Sequence, residues 1–194
     1  ALVAAVVRDV EDNPGALPLL QYALTEAFDR RAADALTRAD YEGVGGLRAA
    51  LARRAEGVFG GLEPDHQDDA RQLFLQLVNP GEGTGDTRRR VPIDELRESV
   101  AAPVLEALGA ARLATFDQDP ATGVATIEVA HEALLTEWDR LRGWIGDARD
   151  DLTMKRRLAD LAAEWDRNER DEEFLLRGGR LERYGQFAAE TSLV

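Results

Sequence analysis

Thr126-Ile127-Glu128-Val129-Ala130-His131-Glu132-Ala133-Leu134-Leu135 changes its hydrophobic period halfway through. Ile127, Val129 and His131 recur every second residue and so share one face of a strand, with Thr126 and Glu128 on the other. From Leu134 onward the apolar positions are Leu134, Trp138, Leu141 and Ile145, the four-three-four spacing of an amphipathic helix. A strand therefore runs into a helix, and His131 stands at the joint. From the pattern alone two roles are open to it: a packed or capping histidine at the corner, or a functional imidazole.

Upstream of that stretch a second strand pattern, Arg112-Leu113-Ala114-Thr115-Phe116, is joined to Val124–Val129 by the polar segment Asp117-Gln118-Asp119-Pro120-Ala121-Thr122-Gly123, which reads as a hairpin. Further back, Arg88-Arg89-Arg90-Val91 suits a short strand. Leu47, Leu51, Ala55 and Val58 mark one helix, stopped by Gly60-Gly61. Pro64 opens a second, carried by Ala70, Leu73, Phe74 and Leu77, with His66 in its exposed first turn. Pro92-Ile93-Asp94-Glu95-Leu96 starts a helix, and Pro103 separates it from one through Val104, Leu105 and Leu108. Helices, a short strand and a hairpin in this order are those of a winged-helix domain, residues 44–146, with the hairpin as its wing.

Before this domain, Val3, Val6, Val7 and Val10 lie on one helical face. Asn13-Pro14-Gly15 ends that helix, and Leu20, Leu24, Ala27 and Phe28 form the buried stripe of the next. Between Asp34 and Gly46, Thr37 is placed to cap a short turn through Asp40 and Tyr41. After the domain, Met154, Leu158, Leu161 and Trp165 mark another helix, and Leu181, Tyr184 and Ala188 a last one after Gly178-Gly179. The expected fold class is mainly α. It comprises a helical segment over 1–43, the winged helix over 44–146 and a helical connector over 147–194. The opening residues read as mid-helix, so a fragment of a longer chain is expected.

The 194 residues are 44% hydrophobic and 31% charged, ordinary for a globular protein with a real core. No cysteine is present, which excludes disulfides and thiolate metal sites, and His66 and His131 are too few for a histidine-rich one. No membrane span or signal peptide is legible, and a cytoplasmic setting is expected. With 37 acids against 24 bases, the formal net charge of −13 repels nucleic acid and anionic membranes. Asn79-Pro80-Gly81-Glu82-Gly83-Thr84-Gly85-Asp86 is glycine-rich, but no Gly-Lys-Ser or Gly-Lys-Thr follows, so it reads as a mobile loop and not a Walker A cradle.

Gly15-Ala16-Leu17-Pro18-Leu19-Leu20-Gln21-Tyr22-Ala23-Leu24 and Val129-Ala130-His131-Glu132-Ala133-Leu134-Leu135-Thr136-Glu137-Trp138, together with Arg71–Val78, Glu164-Trp165 and Leu176–Leu181, resemble the C-terminal part of a bacterial STAND-class NTPase module. Such signal-transduction ATPases are related to AAA+ and NB-ARC proteins and often precede a WD-repeat propeller. The resemblance implies that residues 1–43 end a helical lid and that an upstream domain carries the P-loop and Walker B strand. It also implies that Pro18 matches the lid proline that packs on adenine, although Ala16 replaces a glycine often found there. His131 matches the histidine of the Met-His-Asp element, which contacts the β-phosphate of ADP, although Ala130 and Glu132 replace its neighbours.

The implied function is nucleotide-state sensing within a switch ATPase, with no catalysis by this segment. No cofactor belongs to the segment alone, whereas ATP or ADP with Mg belongs to the whole protein. The implied partners are the chain's own nucleotide-binding domain and a C-terminal effector or propeller, with oligomerisation of the full-length protein open. The alternative is a DNA-binding winged-helix transcription regulator. Against it, Asp94, Glu95 and Glu98 outnumber Arg97, and the hairpin sets Arg112 against Asp117, Asp119 and Glu128. A hydrolase built on His131 and Glu132 has no recognisable serine or cysteine nucleophile.

Overall fold

The computed structural model describes residues 2–11, 17–81, 84–96 and 100–191. Helix α1 spans Leu2–Glu11 and α2 spans Leu17–Asp29. The short α3 is Arg38–Gly43, followed by α4 at Gly46–Gly60 and α5 at Pro64–Gln76. Strands β1 (Val78–Asn79) and β2 (Thr87–Arg88) form an antiparallel pair. Strand β3 (Val91–Pro92), a 3₁₀ turn (Ile93–Glu95), α6 (Ala102–Ala110), β4 (Ala114–Gln118) and β5 (Ala125–Val129) come next. Helices α7 (Ala133–Glu137), α8 (Asp139–Asp147), α9 (Arg149–Arg167) and α10 (Gly178–Glu190) complete the chain, which is mainly helical as expected.

Local chemistry explains the boundaries. Thr37 caps α3 as expected, in a full capping box: its hydroxyl accepts from the Asp40 N–H while Asp40 accepts from the Thr37 N–H. Pro64 occupies the first turn of α5, where a missing N–H costs nothing, and the helix buries Ala70, Leu73, Phe74 and Leu75. Helix α6 ends in a Schellman pattern, with Leu113 N–H donating to Leu108 C=O and Arg112 N–H to Gly109 C=O. The left-handed residue of that motif is Arg112, at φ 56°, where glycine is usual. At the first residue of α4, Gly46 stands at φ 68°, and a Cβ there would meet Asp9 Oδ2 at 2.8 Å.

β5 is the centre of a three-stranded antiparallel sheet ordered β3-β5-β4. The expected hairpin is present, with Ala114 opposite Val129 and Phe116 opposite Ile127. The run Arg88–Val91 is not one strand: Arg88 pairs through β2 with Val78, whereas Val91 pairs through β3 with Ile127. Two arginines separate these pairings, and the chain changes partner across them.

One hydrophobic core runs from Ala23 and Tyr41 through Leu51, Phe74, Leu108, Ile127 and Leu141 to Leu152. Residues on both sides of the 43/44 and 146/147 positions therefore pack together. α2 is held to the end of α6 by Tyr22, whose hydroxyl donates to Ala111 C=O at 2.8 Å, and to α4 by the pair Arg53–Glu26 at 2.8 Å. In α1 the inward stripe is Leu2, Ala5, Val6 and Val10; Val3 and Val7 face outward, which corrects the expected valine stripe. Phe28 is likewise exposed, its ring covered by the Arg31 guanidinium at 3.5 Å instead of by the core. Among the described residues no helix is long and apolar enough to cross a membrane.

The helix expected from Leu134 to Ile145 is two helices. Trp138 separates α7 from α8 with an extended backbone, φ −89° and ψ 101°. Its indole is only 2% exposed, edge-on to Phe74 at 5.2 Å, Phe59 at 6.1 Å and Trp144 at 5.5 Å. Burying that ring, together with a hydrogen bond for its N–H, offsets the cost of breaking the helix.

Candidate functional site

β5 ends at Val129, and Ala130 N–H makes one more sheet bond, 2.9 Å to Leu113 C=O. His131 follows, two residues past the strand and two before α7. Its carbonyl accepts from Leu134 N–H at 3.0 Å, and Glu132 C=O accepts from Leu135 N–H at 2.9 Å. Those first helical N–H groups are thus turned back on the chain.

The His131 imidazole is half-buried and has no hydrogen-bond partner among the described residues. Burial pushes its pKa below the ordinary histidine value, and the nearby Arg88 charge pushes it further down. The ring is therefore neutral at pH 7, with one N–H to donate and one lone pair. Glu132 is exposed, and its side chain makes no capping bond to α7.

Arg88 is the side chain at this corner that the sequence reading left aside. Its guanidinium donates to Val129 C=O at 3.2 Å and Ala130 C=O at 3.4 Å, and lies 3.8 Å from Glu128. Arg90 turns to the same carboxylate at 3.5 Å and to Asp117 at 3.7 Å. The β3–β5 register pairs Val91 with Ile127, and continuing it back three residues sets Arg88 opposite Ala130. The signal was thus present in the arginine run, but only pairing shows which arginine meets the histidine.

Pro18 is the second residue of α2; its side chain lies outside the described residues. Of the two predicted site residues, His131 alone has a described side-chain environment. Below the corner, α7 is anchored by Trp138, whose Nε1 donates to Glu56 Oε2 at 2.8 Å. Arg140 closes on the same carboxylate and stacks over Phe59 at 4.7 Å. The Arg140 hydrogen bond, seconded by that of Trp138, holds the Glu56 carboxyl below its usual range. Sequence reading did not single out Glu56, because nothing local marks a helix-surface glutamate 82 positions from its partner.

The corner has the parts of a phosphate contact: a neutral, unengaged N–H donor beside a cation on a rigid sheet end. Among the described residues, no group of three or more His, Cys, Asp or Glu stands together to hold a metal. Residues 1–173 match the family model described as novel STAND NTPase 1. No curated protein and no solved structure matches the chain.

Proposed function

The chain belongs to the novel STAND NTPase 1 family, and from that premise we propose that it is the regulatory, nucleotide-state-sensing part of a signal-transduction switch ATPase. In this reading residues 44–146 form a winged helix, 1–43 end the lid, and 147–194 connect to a C-terminal effector or WD-repeat propeller. The nucleotide, ATP or ADP with Mg, is held mainly by an upstream nucleotide-binding domain of a bacterial cytoplasmic protein. The segment itself does no catalysis.

The observation that carries the reading is the unengaged His131 ring beside Arg88. A terminal phosphate fits these two residues. It would accept the imidazole N–H, and its charge would reverse the pressure that now keeps the ring neutral. Contact made only in the ADP state would hold the winged helix closed; losing it would release α7 and the helices that follow. The bound nucleotide supplies the negative charge, and the protein supplies the fixed donor. In this reading Pro18, at the start of α2, packs on the adenine.

The test is ADP affinity of the full-length protein with and without His131→Ala. Loss of one charge-assisted hydrogen bond predicts weakening by roughly 10- to 150-fold and higher basal signalling output. Unchanged ADP affinity would leave His131 a packing residue. Against the DNA-binding alternative, α6, the helix before the hairpin, carries Glu106 and no lysine or arginine.

A further inference from the structure

Along the extended backbone after β2, successive side chains point to opposite sides. Arg88 and Arg90 both turn to Glu128, and Arg89 turns the other way, into a groove between α9 and the β1 end of α5. The groove has a cavity volume of about 320 Å³. Its floor is apolar, from Leu75, Val78 and Leu152, all buried. Its walls carry Arg89, Lys155 and Arg156. Asp160 is the one carboxylate on the lining, so three cations face one anion in a chain whose net charge is −13.

We propose that this groove binds a small organic phosphate, its apolar body on Leu75, Val78 and Leu152 and its phosphate on Arg89, Lys155 and Arg156. Arg89 and Arg156 make no ion pair among the described residues, whereas the other arginines of the run, Arg88 and Arg90, are both paired. Arg89 is half-buried beside the apolar floor, and an anion in the groove would offset its charge. Burial lowers the Lys155 pKa, and the like charge of Arg89 lowers it further, against an opposing pull from Glu95. The volume exceeds what a bare phosphate fills, and the floor calls for an apolar group on the ligand. Asp160 provides an acceptor for a ligand hydroxyl. Near the groove, Arg149 of α9 donates to both oxygens of Asp86 at 3.0 and 2.9 Å. The site is separate from the His131 corner, because it uses the opposite side of the arginine run.

Phenyl phosphate is a suitable probe, titrated into the 194-residue chain by calorimetry at low salt, with inorganic phosphate and phenol as controls. Saturable binding of phenyl phosphate, tighter than inorganic phosphate and absent for phenol, is expected. Arg89→Gln should weaken it roughly 10-fold or more. Arg156→Gln, on the exposed face of α9, should weaken it in the same direction without disturbing the fold. His131→Ala should leave it unchanged, which keeps this outcome distinct from that of the nucleotide corner. Absence of saturable binding would overturn the proposal, as would equal binding of phenol or insensitivity to both arginine variants.

Discussion

The indole N–H of Trp138 donates to the carboxylate of Glu56 at 2.8 Å, joining the break between α7 and α8 to the outer face of α4. Arg140 binds the same carboxylate from the first turn of α8. The two bonds tie the end of the short helix that begins beside His131 to α4.

Because the indole is buried and Glu56 is partly exposed, the two halves of this relationship separate in a mutant cycle. Trp138→Ala should cost about 3–5 kcal/mol through the cavity it leaves among Phe59, Phe74 and Trp144. Trp138→Phe and Glu56→Ala should each cost about 1–2 kcal/mol, with a coupling of about 0.5–1.5 kcal/mol, reduced by solvent at the carboxylate. Urea unfolding of the singles and the double measures it; a coupling near zero would remove Glu56 from the account.

Arg112 occupies the left-handed position that ends α6. Arg112→Gly should raise stability by about 0.5–1 kcal/mol, because relief of the strained φ outweighs the added freedom of the unfolded chain. A stability lowered by the substitution would show that the arginine side chain matters more than its backbone.

The imidazole of His131 has a folded-state pKa below the ordinary value of 6.5. The unfolded chain therefore binds the proton first as pH falls, so the contribution of this group is fully present above pH 6.5 and is lost on acidification below it. His131→Gln, which does not titrate, should lose less stability than wild type between pH 7.5 and pH 5, a window set about the reference histidine value. Parallel stability curves for the two proteins across that window would contradict the assignment.

Duplex DNA should not bind the chain. α6 has no cation, and the arginines at the hairpin face Glu128 and Asp117 and not solvent phosphate. A mobility shift at about 50 mM salt that weakens steeply as salt rises is the result that would overturn this expectation.

Much of the fold is legible in the residues because it is local. Thr37 with Asp40, Pro64, and the alternation of Ile127 and Val129 each state their conformation within a few positions. His131 is legible in the same way, as the point where one period gives way to another. Val3, Val7 and Phe28 mislead because periodicity says that a face is apolar but not which part of it a neighbour covers. Trp138 misleads more instructively: its spacing is helical, yet its backbone is extended, since an aromatic cage and a distant carboxylate offset the cost of the break.

By itself the sequence determined most of the helices and their order, the hairpin and the histidine at its exit, because hydrogen bonds and side-chain periods within a segment decide these. The roles of the three arginines were left to the tertiary structure. Arg88 reaches the end of β5, Arg90 joins it on Glu128, and Arg89 lines a groove against α9. A run of identical residues carries no local signal to tell its members apart. Their roles follow from strand register and from which helix lies across the other side, and both are set by contacts between residues far apart in the chain.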